Sequence, residues 1–189
     1  MQVEDLRINY TMHMNRNLKI FVSTGIPFGI FMAILFSLCY GINVGLSGGL
    51  ISGLIFGFIM FIILGFLHGR AVEKIAGEKT EESMGTYQER NIKLQLPYDR
   101  TFDLCIKSLD LISRCRVQEE SQSHGKIIAR SSVNWKTWGD TISFDITGIS
   151  DEKTAVTVSS RPTSWSTLVD YGKNLENVKI IISFLEKSK

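Results

Sequence analysis

The residues able to do chemistry are few and poorly spaced for it. Three cysteines and three histidines occur in 189 residues: Cys39, Cys105 and Cys115, and His13, His68 and His124. No CxxC pair is present and no Cys and His share a motif, whereas a zinc centre needs about four ligands at characteristic spacing. There is no Gly-x-Ser-x-Gly elbow, and His124 falls in a turn with no orienting partner, so no Ser-His-Asp arrangement is expected. Asp140 and Asp145, an odd number of residues apart on one strand, point to opposite faces and cannot share a substrate. No glycine-rich loop is followed by Lys-Ser/Thr. The net charge is only +2, with Lys and Arg scattered among acids, which gives no basic stripe for nucleic acid. The expectation is a chain that is not an enzyme, with no catalytic residues, no metal ligands, no cofactor and no nucleic-acid partner.

Residues suited to binding are more suggestive. Trp135 and Trp138 bracket a connection between two strands, and Trp165 lies in a long loop between Arg161 and Asp170. Indole rings are favoured at a bilayer interface and at partner hot spots, but they also cover the open end of a small sheet. Asp170 is placed to accept from backbone N–H groups at a helix start, Gly172 permits a sharp bend, and Asn174 can tie the incoming loop to the helix. Trp135, Trp138, Trp165, Arg161, Asp170 and Asn174 are therefore the candidate ligand or interface contacts.

The element that dominates the chain lies upstream. From Ile20 to Leu67 there is no Asp, Glu, Lys or Arg. One membrane crossing needs roughly 20 apolar residues, so the run suffices for two spans, 20–40 and 46–67, both helical because lipid cannot satisfy a bare backbone. Arg7, Arg16 and Lys19 precede the first span and Arg70, Lys74 and Lys79 follow the second, while the turn carries no charge. The positive-inside rule then puts both termini in the cytoplasm. The expected location is a bacterial inner membrane, multi-pass, with lipids as the first partners.

Small residues recur every fourth position in both spans: Gly25, Gly29, Ala33, Ser37 and Gly41, then Gly45, Gly49, Gly53 and Gly57. Such rows let two backbones approach closely. With the turn centred on Asn43, Gly41 would face Gly45, Ser37 Gly49, Ala33 Gly53 and Gly29 Gly57, a close hairpin. The alternative is that the glycine face of the second span meets another copy, forming a homo-oligomer or small channel.

Residues 68–89 read as a short helix extension followed by a polar tether. From Arg90 the pattern is that of a domain of roughly 100 residues. Ile92, Leu94 and Leu96 alternate until Pro97; Phe102, Ile106 and Leu109 recur at helical spacing, with Asp99 placed to cap. Strands follow at Cys115–Glu120, Lys126–Val133, Asp140–Thr147 and Thr154–Ser160, and Leu175, Val178 and Leu185 mark a closing helix. The order β-α-β-β-β-β-α predicts an α+β domain with an antiparallel sheet and helices on one face. The cleft between sheet and last helix is the place expected for a ligand.

The strand Thr154–Ser160 ending at Arg161, followed by Asp170-Tyr171-Gly172-Lys173-Asn174 opening the terminal helix, resembles the end of small bacterial domains of unknown function. The element order is similar to an abbreviated helix-grip domain, a class whose long last helix closes a cavity over a curved sheet. This chain departs from that class in its smaller number of strands. The resemblance implies a fold and no activity. The sequence reading is thus a two-span membrane protein holding a non-catalytic α+β domain, at 90–189, that binds a protein partner or a lipid-like ligand at the membrane surface.

Overall fold

The computed structural model describes residues 16–77, 80, 82–133, 137–164 and 166–188. The chain divides into two compact units, Met1–Phe66 and Leu67–Lys189.

The first unit is a pair of helices, α1 (Arg16–Tyr40) and the greater part of α2 (Ile42–Ala76). Both are long and apolar enough to cross a membrane, and only 11% and 6% of their most apolar stretches are buried, unlike the core helix of a soluble protein. Two hydroxyls on the helices bond back to the turn before them: Thr24 Oγ1 donates to Ile20 O at 2.8 Å and Ser47 Oγ to Asn43 O at 3.0 Å.

The reversal falls on Gly41, alone between the helices at φ +89°, a conformation that glycine adopts freely. This corrects the expected register. With Gly41 rather than Asn43 at the centre, the helices shift by one turn, and Gly45, Gly49, Gly53 and Gly57 of α2 seat against residues one turn earlier in α1. A Cβ on Gly49 would lie 2.7 Å from both Ala33 Cα and Gly29 O. One on Gly53 would meet Gly25 O at 2.8 Å and Gly29 Cα at 2.9 Å, and one on Gly57 would meet Phe21 O at 2.9 Å and Gly25 Cα at 3.2 Å. Gly45 seats against Ser37 and Ala33 O, while a Cβ on Gly41 would meet nothing within 4 Å. The pairs Gly41 with Gly45, Ser37 with Gly49, Ala33 with Gly53 and Gly29 with Gly57 are thus not those formed.

The second unit begins with the last residues of α2. It continues as β1 (Gln88–Leu94), α3 (Tyr98–Ser108), a 3-10 turn (Leu109–Leu111), β2 (Cys115–Ser121), β3 (Lys126–Ser131), β4 (Asp140–Ser150), β5 (Lys153–Pro162) and α4 (Lys173–Lys187). The five strands form one sheet in the order β1-β5-β4-β3-β2, every pair antiparallel. This is the α+β order read from the alternation. Phase is kept along β4 and β5: Ile142, Phe144, Val156 and Val158 are wholly buried. Edge strand β2 is exposed, carries Arg116, Glu119 and Glu120, and shifts register between Val117 and Glu119, features that discourage pairing with another edge.

Val178, Ile181 and Leu185 of α4 enter the same core cluster as Phe144, Val158, Leu94 and Phe102. Where a ligand cleft is expected, between sheet and α4, the inward side chains of both belong to one apolar cluster. α3 also departs from expectation at its start. Pro97 takes the N-cap position, and Asp99, one residue into the helix, accepts from Gln122 Nε2 at 3.0 Å instead of capping.

Residues 68–76 form the expected helix extension: α2 continues through them, with His68 and Val72 wholly buried, until Gly77 (φ +86°) ends it. Farther on, Gln88 Nε2 donates to Glu82 O at 2.8 Å and Gly85 O at 2.7 Å, pinning the turn that leads into β1. The extension stays folded because Val72 and Ile75 find an apolar seat beside Gly172.

Candidate functional site

The start of α4 is shaped by two consecutive left-handed residues, Tyr171 (φ +51°) and Gly172 (φ +71°). Glycine is required at the second on two counts, its φ and its crowding: a Cβ there would lie 2.8 Å from Ile75 Cδ1. The bend turns Asp170 back over the helix start. Its Oδ1 accepts from Gly172 N at 3.2 Å, and its Oδ2 accepts from Asn174 N at 2.9 Å and Asn174 Nδ2 at 2.8 Å. Asp170 thereby holds first-turn amides that the helix cannot satisfy itself.

From Asp170 a buried polar chain runs under α4. Asn174 Oδ1 accepts from Ser160 Oγ at 2.7 Å, and Asn177 Nδ2 donates to Ser160 Oγ at 3.3 Å and to Asp140 Oδ2 at 3.1 Å. Ser131 Oγ donates to Asp140 Oδ2 at 3.3 Å and accepts from Asp140 N at 2.9 Å. In the other direction His68 Nδ1 lies 3.7 Å from Asp170 Oδ1, a distance for an ion pair and too long for a hydrogen bond. His68 Nε2 is 3.0 Å from Met84 O. A carbonyl only accepts, so that bond places a hydrogen on Nε2. His68, Asp140, Ser160, Asp170, Asn174 and Asn177 are all at 0% exposure.

Burial is the main cause that pushes the Asp140 carboxyl above its usual range, and the negative charge of Asp170 acts the same way; hydrogen bonds from Asn177 and Thr137 pull against it. Two thiols are also shifted by burial, Cys105 to about 12 and Cys115 to about 11. Neither is a nucleophile at neutral pH. Among the described residues no group of three His, Cys, Asp or Glu is arranged to hold a metal ion. With two carboxylates, one imidazole and several amides and hydroxyls, all closed off from solvent, the arrangement can orient helices and order loops. It offers no open face to a substrate.

Of the candidate contacts, the structure brings together Asp170 and Asn174. Arg161 is exposed at the end of β5, opposite Thr141, outside the buried chain. Trp138 is 71% exposed beside Gly139, whose carbonyl accepts from Thr163 N at 2.9 Å. Trp135 and Trp165 lie outside the described residues. His68, Asp140, Ser160 and Asn177 were missed as site residues, though a signal existed for three of them. Asp140 is in phase with Ile142, Phe144 and Ile146, Ser160 with Val156 and Val158, and Asn177 with Ile181 and Leu185. A polar residue in the buried phase of an element needs a buried partner.

No protein-family model matches the chain, and no curated protein is similar to it at a significant level. Among solved structures, the di-domain ARO/CYC BexL of the BE-7585A biosynthetic pathway aligns over 53% of this chain at 10% identity and TM-score 0.41. The chain spans 45% of the length of that protein. The Zhui aromatase/cyclase of Streptomyces sp. R1128 aligns over 53% of this chain and 84% of its own, at 13% identity and TM-score 0.32. A protein from Thermus thermophilus aligns over 53% of this chain and 94% of its own, at 13% identity and TM-score 0.33. Likeness at these values is a weak resemblance to small bacterial domains and carries no activity across.

Proposed function

We propose that this chain is an integral membrane protein whose two apolar helices span an inner membrane with both termini in the cytoplasm. Its α+β domain is then a non-catalytic binding module for a protein partner or a lipid-like ligand at the membrane surface. The observation that carries this reading is the pairing of two properties: helices whose large apolar side chains face outward, Phe31, Leu38, Leu50 and Phe58 among them, and a folded domain with one apolar core between its sheet and α4. Outward apolar side chains in such number are stable in hydrocarbon and not in water. On the surface of that domain Trp138 stands exposed.

An apolar groove of about 310 Å³ along the helix pair, floored by Gly25, Gly29, Gly49 and Gly53, suits an acyl chain and supports lipid as the first partner. The contact of α2's glycine row with α1 favours a closed hairpin over an oligomer or channel built on that row. Purifying the full chain in a mild detergent and identifying co-purifying lipids and proteins by mass tests the binding role. Recovery of a specific lipid or protein in fixed proportion supports it. Recovery of bare chain alone, with turnover of some small molecule in an activity screen, contradicts it.

A further inference from the structure

His68 and Asp170 come from segments a hundred residues apart in the sequence, yet both are wholly buried and their side chains lie 3.7 Å from each other. His68 sits in the final turns of α2. Asp170 holds the first-turn amides of α4. The same stretch of α2 meets the start of α4 at two further places: Val72 and Ile75 crowd Gly172, and Lys179 Nζ donates to Ile75 O at 2.7 Å. Because Met84 O fixes a hydrogen on Nε2, His68 turns Nδ1 toward the Asp170 carboxylate. Withdrawing the ring leaves this buried carboxylate to the N–H groups of Gly172 and Asn174 alone and uncovers the side of it that His68 shields, so the first turn of α4 loses part of what holds it.

We propose that His68 and Asp170 form a latch in which residues 68–76 of α2 and the first turn of α4 are ordered together. Drawing the end of α2 from its seat then frees the start of α4 while the sheet stays intact. The core beneath α4 favours this division. Ile181 and Leu185, farther along the helix, are anchored in apolar contacts that do not involve α2, whereas the first turn depends on Asp170. The coupling lies within Leu67–Lys189 and holds whatever environment surrounds the rest of α2. It gives the domain a way to answer movement of the helix that enters it, by loosening one helix start.

Hydrogen exchange read by mass spectrometry on the full chain in mild detergent tests the latch. His68→Ala is expected to speed exchange of the amides of residues 172–176 by about tenfold or more while β4 and β5 keep wild-type rates. Asp170→Asn is expected to do the reciprocal, speeding exchange in 68–76. If His68→Ala leaves the start of α4 at wild-type rates, or speeds the sheet and the helix start equally, the latch is wrong. If the alanine variant does not fold, His68→Gln, which keeps an N–H toward Met84, is read by the same criteria.

Discussion

Asn177 of α4 donates to the carboxylate of Asp140, the first residue of β4, at 3.1 Å, with both side chains wholly buried. This one amide spans helix and sheet, and through Ser160 and Asn174 it connects to the Asp170 cap. A polar bridge of this kind fixes the rotation of α4, which apolar contacts at Val178, Ile181 and Leu185 alone would leave less specified.

Asn177→Ala removes the donor from Asp140 and from Ser160 together. A hydrogen bond to a charged group contributes about 1.5–3 kcal/mol, so the variant is expected to lose stability of that order. The urea midpoint of the full chain in detergent, followed by near-ultraviolet circular dichroism, checks it. A loss below about 0.5 kcal/mol, the range of an ordinary surface substitution, contradicts the role given to Asn177.

The raised carboxyl of Asp140 makes a pH prediction with a definite sign. Burial raises its folded value above 3.8, so the folded chain holds this proton more tightly than the unfolded chain. The stabilisation is complete below the unfolded value and declines as pH rises through the folded one. Asp140→Asn is expected to remove that decline. The difference in unfolding midpoint between wild type and variant should therefore shift in the variant's favour as pH rises above about 4. A difference that is flat, or of opposite sign, contradicts it.

The thiols give a simpler test. Cys105 is wholly buried and pushed up to about 12, and Cys115 is partly buried and pushed up to about 11. In a Cys39→Ala chain at about pH 8, maleimide should label Cys115 slowly and Cys105 only after unfolding. Rapid native labelling of Cys105, read by peptide mass, would show that the α3 core opens.

Close packing of the hairpin predicts unequal costs for identical substitutions. Gly53→Ala would press a methyl to 2.8 Å from Gly25 O, whereas Gly65→Ala meets nothing within 4 Å. The first is expected to destabilise the helix pair by about 1–3 kcal/mol and the second to leave it unchanged, read by thermal unfolding of the full chain in detergent. Equal melting temperatures contradict the register described.

Much of the fold was legible because its signals are local. Ile142, Phe144 and Ile146 alternate within one strand, and the glycine rows repeat within one helix. The hairpin register was not, since it depends on where one residue, Gly41, takes a positive φ, and Asn43 was an equally good centre by composition. Periodicity marks which residues face inward without saying how they pack, so the meeting of Val178, Ile181 and Leu185 with Phe144 and Val158 in one cluster was not legible. The buried network was half visible: Asp170 and Asn174 lie close in sequence, whereas His68 meets them only through tertiary folding. His68 also stood at the end of an apolar run, where a polar residue reads as membrane edge.

The central claim is that two spans place the turn and the folded domain on opposite sides of a membrane from each other. Asn43→Cys and Lys187→Cys, each in a chain whose three native cysteines are replaced by alanine, can be labelled in sealed inner-membrane vesicles with a reagent that does not cross lipid. Both positions are exposed. The account predicts that Lys187→Cys is labelled only when the cytoplasmic face is outward and Asn43→Cys only when the opposite face is outward. Labelling of both from the same side would contradict it.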